Sequence, residues 1–171
     1  GFSGAPLWFA GLLAGATLLV LVLVAEYVVI DAGHPAFAQT QIGLTVMTYL
    51  VALVWFSWVA QLGARGALSA TSTLLIGGLT SFRLLSLHRV AAEPAGWNSL
   101  AVGLILAEVM WVLGYWALPP LVTGVWLLAV LHLGVGLIRG GHKEDLNGRA
   151  VLEHVLVAVI ALALTALLLV G

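Results

Sequence analysis

The chain has 171 residues, 63% of them hydrophobic and 8% charged, where a soluble domain carries about 45–50% apolar and about 25% charged residues. So short a chain cannot hide that much apolar surface in a core of its own, which excludes a water-soluble domain and makes a lipid bilayer its solvent. Six Lys plus Arg against seven Asp plus Glu leave a formal charge of -1 and no basic patch for nucleic acid, while the lack of Cys excludes disulfides, thiolate zinc sites, iron–sulfur clusters and cysteine nucleophiles.

Charges punctuate the chain, and the stretches between them that offer about 20 mostly apolar residues are candidate spans. Six qualify. They predict an all-α, polytopic helical bundle forming a single transmembrane domain over 1–171, with no room for a soluble domain. The first span, Leu7 to Ile30, is longer than a signal-peptide core and lacks a basic n-region, so it reads as a retained helix. The first residue is Gly rather than Met, which points to N-terminal residues removed or left out. Asp31-Ala32-Gly33-His34-Pro35 leads to the second span, Gln41 to Leu62, and Gly63-Ala64-Arg65-Gly66 to the third, Ala67 to Leu87. The fourth, Trp97 to Leu118, has Trp97 and Trp116 about 28 Å apart at about 1.5 Å per residue, one aromatic for each membrane interface. Pro119-Pro120 forces a reversal into the fifth, Pro120 to Ile138, and a polar loop from Arg139 to Arg149 precedes the sixth, Ala150 to Val170.

Orientation follows from the positive loops, which stay cytoplasmic. Arg89, Arg139, Lys143 and Arg149, with Arg83 just inside a helix end, share one side, whereas the other has Arg65 alone. Both termini are then expected outside the cytoplasm, in a multi-pass protein of the cell membrane.

Ionisable side chains at membrane depth are costly and mark functional candidates. On these spans Glu26 lies about 6 Å inside the cytoplasmic end, Arg83 about 6 Å, His132 about 9 Å and His154 about 6 Å, with Glu153 beside it. Glu108 falls about 16 Å into the fourth span, near the midplane, on one face with Trp111 and Tyr115. Glu26, Arg83, Glu108, His132, Glu153 and His154 thus form a candidate intramembrane polar cluster for handling a proton or a substrate. The alternative is structural, with Arg83 paired to Glu26 or Glu153 and Glu108 hydrogen-bonded across the bundle. His132 and His154, at similar depths, also suggest axial ligation of a haem, or of a bacteriochlorophyll by one of them, against a plain interhelical hydrogen bond. No other cofactor is expected. His34, His88 and His142 belong to loops or a helix end, where solvent exposure is expected, and His142-Lys143-Glu144-Asp145 matches no metal-ligand spacing.

Gln41, Thr45 and Thr48, and Ser69, Thr73, Gly77 and Thr80, are small polar stripes suited either to an aqueous path or to close helix packing, the latter also served by Gly11-x-x-x-Gly15. Gly134 to Gly140 imitates a dinucleotide fingerprint but follows no strand and opens no helix. No nucleophile elbow, zinc-protease motif or phosphate loop occurs and no hydroxyl has an evident base beside it, so no enzyme and no catalytic residue is expected.

Arg83-Leu84-Leu85 ends the third span, Glu108-x-x-Trp111-x-x-x-Tyr115-Trp116-x-Leu118-Pro119 lies in the fourth, the fifth is rich in glycine and Glu153 opens the sixth. This order of features resembles an uncharacterised family of six-helix bacterial membrane proteins found among green non-sulfur bacteria and their relatives. The resemblance covers most of the chain and implies a six-helix fold and no activity; where that family has glutamine or a similar polar residue in the fourth helix, this chain has Glu108.

A transporter is expected to show an internal repeat and broken mid-membrane helices, and here the two three-helix halves differ in their charges. Apolar faces with small-residue patches and almost no extramembrane mass instead favour an accessory or assembly subunit of a larger membrane complex, photosynthetic or respiratory, whose partners are other membrane subunits and the lipid bilayer.

Overall fold

The computed structural model is all-α and describes residues 5–30, 35–63, 66–88, 90–116, 118–142, 152, 155, 156, 159 and 163. Five helices follow one another, α1 (Ala5–Ile30), α2 (Phe37–Gln61), α3 (Gly66–Leu87), α4 (Ala92–Leu113) and α5 (Pro120–His142). Of these, α2 to α5 are long and apolar enough to cross a membrane. The sixth expected span lies outside the described residues except at Leu152, Val155, Leu156, Val159 and Ala163, which are helical.

The helix ends follow local chemistry. α2 closes on Gly63, whose φ of 55° is the left-handed turn that glycine adopts without strain. α3 ends with the His88 ring, whose Nδ1 lies 2.7 Å from the Leu84 carbonyl oxygen; the ring is half-buried, not solvent-exposed as the sequence suggested. The largest shift is in α4, which runs from Ala92 to Leu113 instead of Trp97 to Leu118. Pro94 in the first turn forfeits only an amide that would lack a helical partner, and Glu93 beside it suits the positive end of the helix dipole. At the other end, the amides of Tyr115 and Trp116 bond back to Val112 and Leu113, tightening the chain before the two prolines. Pro120 then opens α5, which continues to His142 rather than stopping at Ile138.

The chain divides into two compact units, Gly1–Met47 and Thr48–Gly171. The first holds α1 and the start of α2, where the Thr45 hydroxyl donates to the Gln41 carbonyl at 2.8 Å. The second contains the rest of α2 with α3, α4 and α5, around a core that includes Phe56, Leu84, Leu85, Leu106, Leu127 and Leu131.

Within the second unit, helices come together where side chains are smallest. α3 and α4 cross antiparallel at mid-helix: a Cβ on Gly103 would lie 2.8 Å from the Leu74 carbonyl oxygen and 3.0 Å from the Gly78 nitrogen, and one on Gly77 would lie 2.6 Å from Leu106 Cδ1. Between α2 and α5, a Cβ on Gly124 would overlap the Ser57 hydroxyl. In a bilayer, where burying apolar surface between helices gains little, such close approach supplies the van der Waals contact that holds them. Much of the α3 polar stripe belongs to this packing, with Ser69, Thr73 and Gly77 buried and Thr80 bonding to the carbonyls of Ile76 and Gly77.

Candidate functional site

Tyr49 and His132 make a polar contact that joins two helices at mid-span. Tyr49 stands midway along Phe37–Gln61, and His132 close to the middle of Pro120–His142. The Tyr49 hydroxyl shares a hydrogen bond with His132 Nδ1 at 3.1 Å, and the rings lie 5.8 Å apart, tilted by 56°. The Ser57–Gly124 approach explains why they meet. α2 and α5 run antiparallel, so moving from Ser57 back to Tyr49 and from Gly124 forward to His132 covers the same distance along each axis. Arg139, two turns beyond His132 on α5, is half-buried.

His132 therefore lies deeper than the sequence placed it, because α5 runs on past Ile138. The sequence reading did not single out Tyr49. Its signal was position: tyrosine belongs to the interfacial belts of a membrane protein, and one at the centre of an apolar helix needs a polar partner for its hydroxyl.

Glu108 moves the other way. With α4 ending at Leu113, it is about 7.5 Å from that end at about 1.5 Å per residue, rather than at the midplane. It is exposed on the outward face of α4, and among the described residues it has no hydrogen-bond or ion-pair partner. Trp111 and Tyr115 are joined to each other, the Trp111 indole donating to the Tyr115 hydroxyl at 3.0 Å, with Tyr115 in the turn after the helix. Trp116 has also left α4 and meets Trp126 edge-on at 6.2 Å, so it is not the helix-end anchor that its spacing from Trp97 implied.

Arg83 is half-buried on α3, and Glu26, in the first unit, is half-buried on α1. Glu153 and His154 lie outside the described residues, as do the loop residues Arg65, Arg89, Lys143 and Arg149. Of the six expected polar residues, His132 is joined to Tyr49. Axial ligation of a tetrapyrrole by His132 would have to use Nε2, because Tyr49 holds Nδ1. No group of three or more His, Cys, Asp or Glu able to hold a metal occurs among the described residues.

Residues 1–168 match the model of a family described as "Protein of unknown function (DUF5656)". The chain belongs to this family. The expectation of an uncharacterised family is met over almost the whole DUF5656 chain, and the name carries no activity with it. Comparison with curated proteins gave no match, and comparison with solved structures gave none. Any chemistry assigned to this DUF5656 protein must therefore come from its own side chains.

A double-mutant cycle measures the Tyr49–His132 bond. Tyr49→Phe and His132→Leu, alone and together, are expected to show a coupling of about 0.6 kcal/mol, and at most about 1.7 kcal/mol, in detergent unfolding. Strictly additive effects would remove the bond as an element of the fold.

Proposed function

We propose that this protein is a non-catalytic accessory or assembly subunit of a larger complex in a bacterial inner membrane. The observation that carries the reading is Glu108, a carboxyl on the outward face of α4 with no partner among the described residues. A carboxyl that faces lipid within a span is costly to keep ionised, and a donor on a neighbouring subunit removes that cost. The connections described between α2 and α5 are short, leaving little mass outside the membrane for independent work. In this reading the chain is one multi-pass domain of six spans, the sixth over Ala150 to Val170, with both termini outside the cytoplasm.

Gentle solubilisation followed by native-gel mass tests the subunit reading. The wild-type chain, 17.9 kDa alone, is expected to co-migrate with other membrane subunits, and Glu108→Leu to release it while leaving its helical circular dichroism intact. A lone monomer that moves a solute across liposomes would defeat the reading. That outcome would favour a transporter component, for which the Tyr49–His132 pair supplies a titratable group at mid-span.

Orientation has its own test. In this Cys-free chain, a Cys introduced at position 143 is expected to resist an impermeant thiol reagent applied to intact cells and to react once the membrane is opened. Labelling from outside would invert the topology.

A further inference from the structure

A groove of about 600 Å³ runs between α3 and α4 at the end where α3 stops and α4 begins, within the roughly 300–1,000 Å³ typical of small-molecule sites. Leu75, Leu79 and Phe82 line it from α3, Trp97 and Leu100 line it from α4, and Glu93 stands at its head in the first turn of α4. Both helices are long and apolar enough to cross a membrane, so the head of the groove is at interfacial depth. From Glu93 to Leu100 the groove runs inward by about 10 Å at about 1.5 Å per residue. It reaches as far as Leu74 and Gly78, where Gly103 brings the two helices together.

Two glycines keep this groove open without serving the helix crossing. A Cβ on Gly96 would meet nothing within 4 Å, and one on Gly78 only the Ser99 carbonyl oxygen at 3.7 Å. Glycine inside a helix costs about 1 kcal/mol against alanine. At Gly77 and Gly103 close packing offsets that cost, whereas Gly78 and Gly96 supply room beside the exposed side chains of Leu75, Leu79 and Leu100. The Ser99 hydroxyl, at the same wall, donates within α4 to the Gly96 carbonyl at 2.8 Å. The length of the groove is therefore apolar in character.

Its charge is at the head. Glu93 is exposed, is the charged member of the lining residues, and has no hydrogen-bond or ion-pair partner among the described residues. Trp97, 71% exposed, follows one turn further along α4; its indole N–H is a donor, and its ring face attracts cations. A carboxylate and an exposed indole at the head of an apolar groove match a molecule with a cationic, hydrogen-donating head, an acceptor oxygen behind it and a long apolar tail. We propose that this groove binds an aminophospholipid of the surrounding bilayer, with its primary ammonium on the Glu93 carboxylate, a phosphate oxygen accepting from the Trp97 indole and an acyl chain along Leu79 and Leu75. A quaternary ammonium has no N–H to give the carboxylate, and a purely anionic headgroup meets a like charge there. The subunit reading is not needed for this assignment.

The test titrates the full chain, delipidated in detergent, with phosphatidylethanolamine, phosphatidylcholine or phosphatidylglycerol of identical acyl chains, and counts bound lipid by native mass spectrometry. The wild type is expected to bind phosphatidylethanolamine about fivefold more tightly than the other two, the upper range for one exposed ion pair. Glu93→Gln is expected to abolish the preference. Gly96→Leu, which fills the groove where a side chain meets no neighbour, is expected to remove the preferred site; Gly43→Leu, the same change at an open glycine of α2, is expected to keep it. Helical circular dichroism checks that each variant is folded. Equal binding of the three lipids overturns the proposal, as does a preference that survives Glu93→Gln or Gly96→Leu, or one lost equally in Gly43→Leu. Phosphatidylglycerol bound most tightly, the order that the positive charge of Arg89 in the preceding loop would produce, also overturns it. If Gly96→Leu leaves lipid binding intact and instead releases a partner on native gels, the groove seats a partner helix and the lipid assignment falls.

Discussion

Gly103→Val is expected to lower the stability of the second unit by about 3 kcal/mol, the upper range for forcing added methyl groups into a packed core, and to separate α3 from α4. The contact explains the size of the effect. A Cβ at this position meets backbone, the Leu74 carbonyl at 2.8 Å and Gly78 at 3.0 and 3.1 Å, so no rotamer change in a neighbour relieves it. Gly78→Ala, at the same crossing, is expected to be near neutral: its Cβ would meet the Ser99 carbonyl oxygen at 3.7 Å, an ordinary contact, and alanine gains about 1 kcal/mol of helix propensity. Gly96→Ala, with nothing within 4 Å, serves as a control. Thermal unfolding of the three variants in one detergent measures the order. Equal midpoints for Gly103→Val and Gly78→Ala would show that α3 and α4 do not cross at this point.

Gly124→Val is expected to cost a similar amount, about 2–3 kcal/mol, and to do something Gly103→Val does not, namely break the Tyr49–His132 hydrogen bond. Here the added carbon meets the Ser57 hydroxyl first, then the Ser57 nitrogen at 3.2 Å and the Leu53 carbonyl oxygen at 3.3 Å. Pushing α2 away from α5 at this approach moves Tyr49 off His132, because a hydrogen bond weakens quickly beyond about 3.2 Å. A milder pair isolates the cause. Gly124→Ala alone should lose stability, and adding Ser57→Ala should recover most of it, since the Ser57 hydroxyl has no partner to lose and the remaining contacts need only a slight backbone shift. Nitrogen chemical shifts of a histidine-labelled sample read out the His132 bond. Failure of the double variant to recover would place the strain in the backbone rather than at the hydroxyl.

The apolar blocks and the turn residues between them were enough to show that the chain is helical, with segments long and apolar enough to cross a bilayer, because in lipid a long apolar segment satisfies its backbone only by becoming a helix. The positions of α1, α2, α3 and the start of α5 were legible for the same reason, to within a few residues. α4 was misplaced because a charge and a proline were taken as ends, whereas Glu93 and Pro94 both fit inside a first helical turn. Depth depends on where a helix begins and stops, so that error carried Glu108 to the midplane, and the short estimate of α5 kept His132 from it. Pairing needed tertiary structure. Many apolar faces of such helices pack about equally well by composition, and which ones meet is decided by where two backbones can approach, at Gly103 against Leu74 and Gly78 and at Gly124 against Ser57. Those crossings set the register that brings Tyr49 to His132 and leave Glu108 facing outward, and neither outcome is written in the spacing of residues along a single helix.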